Sequence, residues 1–166
     1  APVLAEEGSL YTTQNIWYEK SDSLWCINFK KGAMIPAGTE VKNVRLVRSR
    51  ARGADRHAIS FTTYDDNRRY IVNFNRKYHP GKRVRDYMDL LFSPKSLSRL
   101  TEGMDQKETD AIAKGVVVKG MSKEAVKVSY GIPPEHANSS FDSDRWVYWM
   151  SRFNKKEICF DAGYRA

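Results

Sequence analysis

The sequence predicts an α+β fold. Short runs rich in β-branched and aromatic residues fill its first half, and helical spacing of apolar residues begins only after His79-Pro80-Gly81. Two aromatic-rich extended segments then close the chain. The 166 residues suffice for one large domain or two small ones. The expected division is a loose arm at 1–9, a small β-barrel at 10–80, and a helical segment with an α+β unit at 81–166.

Residues 10–18 carry Thr, Ile and aromatics and are expected as a strand, and residues 25–29 alternate weakly in the same sense. Residues 34–39 read as a turn, with Pro36 and Gly38 supplying the backbone angles. Val41, Val44, Leu46 and Val47 follow with Arg and Lys between them, as in a strand with one wet face. Residues 58–64 and 70–74 form a further strand pair around Asp65-Asp66-Asn67, a good hairpin tip. Val84, Tyr87, Met88 and Leu91 share one helical face, which Ser93-Pro94 terminates. Residues 97–101 read ambiguously, 103–114 as a second helix stopped by Gly115, and Val116-Val117-Val118 as a link.

From Gly120 the signals sharpen. Ser122 is placed to cap a helix whose apolar stripe is Met121, Ala125 and Val128, with Val126 beside it. Gly131 stops that helix and Pro133-Pro134 prevents its resumption. The segments Arg145-Trp146-Val147-Tyr148-Trp149-Met150 and Lys156-Glu157-Ile158-Cys159-Phe160-Asp161 then read as a two-stranded hairpin.

The order Gly120-Met121-Ser122, Val126, Gly131, Pro133, Trp146, Tyr148, Phe160 and Gly163 resembles the BamE/SmpA/OmlA family of outer-membrane assembly lipoproteins and their BLIP-like relatives. It covers the last third of the chain; a long N-terminal region precedes it, and no N-terminal lipid-attachment cysteine is present. The phrase Ile35-Pro36-Ala37-Gly38-Thr39-Glu40-Val41 and the evenly spaced short strands resemble a bacterial SH3-like barrel. The two resemblances imply an SH3-like barrel followed by a BamE-like helix-helix-antiparallel sheet unit. They also imply an exported protein of the periplasm or outer-membrane periphery. The start Ala1-Pro2-Val3-Leu4-Ala5 reads as a mature terminus left by cleavage among small residues.

A formal net charge of +8 points to an anionic partner or to plain solubility. No standard nucleic-acid-binding signature is present, so nucleic acid is not expected as the partner. No apolar run approaches a membrane span. The basic residues thicken in the first half, where alternation over 46–52 places Arg48, Arg50 and Arg52 on one face and Arg45 on the other. In an oxidising compartment a bridge between Cys26 and Cys159 would close a long loop, worth up to about 4–5 kcal/mol. Their apolar neighbours favour two buried free thiols instead.

No nucleophile elbow, phosphate-cradling loop or His-Glu-x-x-His is present, and no cofactor is expected. The three histidines are scattered, which disfavours a metal site. Asp65-Asp66 reads as a solvated tip before it reads as an acid–base pair. A Cys159–His136 nucleophile–base pair is disfavoured because Cys159 sits mid-strand. The candidate ligand-binding residues are therefore Arg48, Arg50 and Arg52, with Trp146, Tyr148, Trp149 and His136 as an aromatic alternative. His136 reads better as a loop histidine bonded to backbone or water than as a ligand group. Trp146 and Tyr148 share one strand face and Trp149 the other, so either the barrel or a partner must cover the hairpin; packing within the chain is expected.

These readings make the chain a non-enzymatic binding or scaffolding protein of the bacterial envelope, acting on an envelope protein. The alternative is a basic module that binds an anionic or cell-wall polymer. A cryptic hydrolase ranks last, for want of a positioned nucleophile and base.

Overall fold

The computed structural model describes residues 8–134, 142–161 and 165–166. Its architecture is α+β: a curled half-barrel sheet and four α-helices among these residues. The strands of the sheet are β1 (Leu10–Thr12), β3 (Leu24–Trp25), β5 (Glu40–Arg48), β6 (His57–Thr63), β7 (Arg69–Asn73) and β8 (Phe92–Ser93), with the short pair β2 (Ile16–Tyr18) and β4 (Ala33–Ile35) set apart. The spatial order is β3-β7-β6-β5-β1-β8, antiparallel except where β3 runs parallel to β7. The helices are α1 (Val84–Leu91), α2 (Leu97–Leu100), α3 (Gln106–Lys114) and α4 (Lys123–Tyr130), and β9 (Arg145–Trp149) pairs with β10 (Lys155–Cys159) as a closing hairpin.

Two apolar cores result. In the first, the inward faces of β6 and β7 (Ile59, Phe61, Tyr70, Val72) meet Tyr87, Met88 and Leu91 of α1. Phe61 stacks on Tyr70 at 5.4 Å and meets Phe92 edge-on at 5.1 Å. The apolar face of α1 thus closes the hollow of the sheet, and this core runs past residue 80 as far as Phe92. The second core gathers α3, α4 and the β9–β10 hairpin, and it also takes Trp17 and Ala37 from the first half of the chain. Glu108 ties its helices together. Burial pushes its carboxyl up, but hydrogen bonds from the Ser122 and Asp105 backbone N–H groups, with the Arg165 guanidinium 3.2 Å away, hold it below its ordinary value.

Several expectations change here. Residues 10–18 are two strands in different sheets: the chain turns between Thr13 and the buried Asn15, and in β2 Ile16 still packs in the first core while Trp17 enters the second. The extended run expected at 25–29 stops at Trp25. Asn28 takes a positive φ of 49°, and its side chain binds both backbone groups of Trp17. Met34 and Ile35 lie in β4, so the turn begins only at Pro36. In β5 the pairing slips between Lys42 and Arg45, where Asn43 has a φ of 55°; this bulge turns both Val41 and Val44 inward. The second helix starts at Gln106, where Asp105 and Glu108 form a capping box. Cys159 is exposed and only Cys26 is buried; both thiols are free. Ile158 and Phe160 take the inward positions, so their neighbour on the strand must face out.

Ser122 caps α4 as its sequence predicts, accepting from the Ala125 N–H. Gly131 ends that helix with φ 85° and ψ −170°, not in the left-handed helical region but in one open essentially to glycine. A side chain there would also press on the Gln14 amide, 2.7 Å from an ideal Cβ. Gly131→Val is therefore expected to lower stability by about 1–3 kcal/mol. An unchanged urea midpoint would show that the backbone relaxes without strain.

Candidate functional site

Strand β6 is sandwiched between β5 and β7, and its side chains alternate strictly. Ile59, Phe61 and Thr63 turn inward, while Ala58, Ser60 and Thr62 form its outer face. The register sets Ala58 between Val47 and Asn73, Ser60 between Arg45 and Ile71, and Thr62 beside Arg69. Beside this strand a trough opens on the outer face, lined by Val47 of β5, Ile71 and Asn73 of β7, and Ser23 and Ala51.

The trough has a volume of about 730 Å³, and its charged lining is Lys20, Arg48, Arg50, Arg69 and Asp22. Arg69 donates from Nε to Ser60 Oγ at 2.9 Å, which lays its stem across the outer face of β6. Among the described residues, Lys20, Arg48, Arg50 and Arg69 make no ion pair within 4.0 Å. A second groove of about 560 Å³ is lined by Arg56, Arg76, Lys82 and Arg83, with Asp55, His57 and apolar Phe74 and Val84. The β5–β6 connection is a common wall. Ser49 to His57 turns at Gly53 and folds back, with Asp55 N–H bonded to Phe74 O at 2.7 Å and Asn75 Nδ2 to Gly53 O at 2.7 Å.

Arg48 and Arg50 thus meet in one trough, but not through strand alternation. Strand β5 ends at Arg48, so residues 50 and 52 follow the turn, and Arg52 does not line the trough. Lys20 and Arg69 complete the site. Sequence reasoning missed both as partners of Arg48, because only the β6–β7 register and the β3–β7 pairing bring them there. Trp146 and Tyr148 are buried in the second core, where Tyr148 Oη donates to Gly131 O at 2.8 Å and Trp146 meets Phe160 edge-on at 4.9 Å. Trp149 is half-buried, with Lys155 Nζ 5.2 Å from its ring centre. His136 and Gly163 lie outside the described residues.

The Asp65-Asp66 tip is exposed. The hydrogen bond from Thr63 Oγ1, joined by Arg68 N–H, holds the Asp66 carboxyl below its ordinary value. That environment suits a turn and not a proton-transfer pair. His79 and Cys26 do lie near one another, but both are buried. The His79 ring stacks on Phe74 at 5.9 Å, and burial pushes the Cys26 thiol up to about 12. A thiol so held is not a nucleophile near neutral pH. The described residues contain no helix long and apolar enough to cross a membrane. Comparison of the chain with protein-family profiles, curated proteins and solved structures found no match to any of the three.

Proposed function

We propose that this chain is a non-catalytic binding protein that holds an anionic polymer along the outer face of its six-stranded sheet. One observation carries the reading: Lys20, Arg48, Arg50 and Arg69 wall a single trough that contains one carboxylate, Asp22. The neighbouring groove prolongs the same positive field across the β5–β6 connection, which suits a chain of charges better than one small anion. The cell envelope is the setting that fits the reading. The helix–helix–hairpin order of the second core supports a BamE-like unit, and the curled sheet of short strands supports an SH3-like one. Scaffolding of an envelope protein is the weaker reading, since Trp146 and Tyr148, two of the aromatic candidates, face inward.

Retention on immobilised polyglutamate, compared across ionic strengths, tests the proposal. Combining Arg48→Ser, Arg50→Ser and Arg69→Ser is expected to weaken binding about tenfold at 0.1 M salt and to flatten its salt dependence. Arg52→Ser, outside the trough, is expected to change it less than about twofold. Equal retention of the triple variant and wild type would remove the polymer reading and leave protein–protein scaffolding.

A further inference from the structure

We propose that a second groove, between the two cores, binds a long-chain carboxylate. It has a volume of about 440 Å³ and forms where Thr13 and Gln14 join β1 to β2, between residues of the first-core helix α1 and the second-core helix α4. Clefts at such junctions, of roughly 300–1,000 Å³, are the usual seats of small ligands. Its apolar lining comes from Leu90 of α1, Leu100 of α2, Val128 of α4 and Ile132. Its charged lining is Lys82, Lys95, Arg99 and Lys127 against the single carboxylate of Glu124.

An apolar floor with a cationic surround matches an apolar tail with an anionic head. Leu90 keeps 39% of its surface exposed for want of any neighbour on that side. Gln14 sharpens the chemistry. The residue is 4% exposed and lines the groove, and its amide, without a hydrogen-bond partner among the described residues, keeps contact with solvent there. A carboxylate in the groove would give this amide an acceptor in place of solvent.

Size separates the candidate occupants. One turn of a helix about 10 Å across and about 5.4 Å long fills roughly 420 Å³. The groove therefore has about the volume of one such turn. A single acyl chain needs no more room than this, whereas a two-tailed lipid doubles the demand. The groove shares no lining residue with the sheet-face trough, so the two proposals stand or fall separately.

The test is titration calorimetry of the full chain with dodecanoate below its aggregation threshold, alongside dodecyl maltoside, a lysophospholipid and an acidic amphipathic peptide. One dodecanoate per chain is expected, bound in the micromolar range, with the neutral-headed maltoside at least about tenfold weaker. Lys95→Ser combined with Arg99→Ser is expected to weaken dodecanoate about tenfold, since both side chains are exposed and serve only the head. Leu90→Trp, which fills the groove from an exposed position, is expected to weaken it at least as much; melting curves of both variants check that they fold. Absence of saturable binding would overturn the proposal, as would binding that both variants leave unchanged. Preference for the lysophospholipid or the peptide would overturn the assignment to a carboxylate.

Discussion

Replacing Asn15 with alanine is expected to lower stability by about 3–5 kcal/mol. Asn15 is 1% exposed and immediately precedes β2, whose Ile16 packs in the first core and Trp17 in the second. Its Nδ2 donates to Ile112 O at 2.8 Å and to Ser129 O at 3.1 Å, and its Oδ1 accepts from Ala37 N–H at 2.7 Å. Those three backbone groups belong to α3, α4 and the turn after β4, so one side chain fastens three elements. Its own N–H adds a fourth tie, to Val128 O at 2.9 Å. Alanine keeps the backbone tie and leaves Ile112 O with only its bond from the Gly115 N–H, but it strands Ser129 O and the Ala37 N–H away from water, each at about 1–3 kcal/mol before relaxation. Asn15→Asp separates the parts: it retains the acceptor for Ala37 but sets a carboxylate against two carbonyl oxygens, and it is expected to be at least as damaging. Urea unfolding followed by tryptophan fluorescence measures both. A loss below about 1 kcal/mol for Asn15→Ala would mean that water takes the place of the amide.

Asn15 also shows where the sequence stops being legible. A run of Thr, Ile and aromatics reads as one strand, since local pattern carries no sign that an Asn within it is to be buried among backbone groups. The same limit hides the trough. Arg48 and Arg50 are visible as a basic cluster, but Lys20 and Arg69 join them through strand pairings between distant segments. The bulge at Asn43 resets which residues face inward, so parity counted from Val41 does not carry through β5. Where chemistry is local, the reading holds. The face made by Val84, Tyr87, Met88 and Leu91 is the face by which α1 enters the first core. The Ser122 cap and Gly131 stop bound α4, and the alternation of β9 buries Trp146 and Tyr148. Helix caps and strand parity need only neighbours in sequence; sites need neighbours in space.

Stability is expected to rise as pH is raised from about 7 towards 9, with Lys30 as the cause. Burial lowers its ammonium from 10.5 to about 7. Its Nζ lies 4.9 Å from the Trp17 ring centre and 5.5 Å from that of Tyr148, and it donates to Asn28 O at 2.9 Å. The unfolded chain keeps its proton on Lys30 until about pH 10.4. Across the interval between, the unfolded state binds more protons than the folded one, so stability climbs by at most about 1.4 kcal/mol per pH unit. Below pH 7 both states are protonated and the contribution of Lys30 is flat, with the folded chain bearing the whole cost of enclosing the charge. Two effects limit the rise. The residue as a whole is only half-buried, so water reaches part of it. The rings attract the cation by about 0.5–2 kcal/mol, which favours the protonated form. The net expectation is a gain of about 1–2 kcal/mol between pH 7 and 9, above which the Cys26 thiol, kept protonated by its burial while the unfolded chain ionises, acts the other way. Lys30→Met keeps the stem over the rings and removes the proton, so its urea midpoint is expected to lack this gain and to exceed that of the wild type at pH 6. Parallel pH profiles for the two proteins would place the Lys30 ammonium in water and sink the argument.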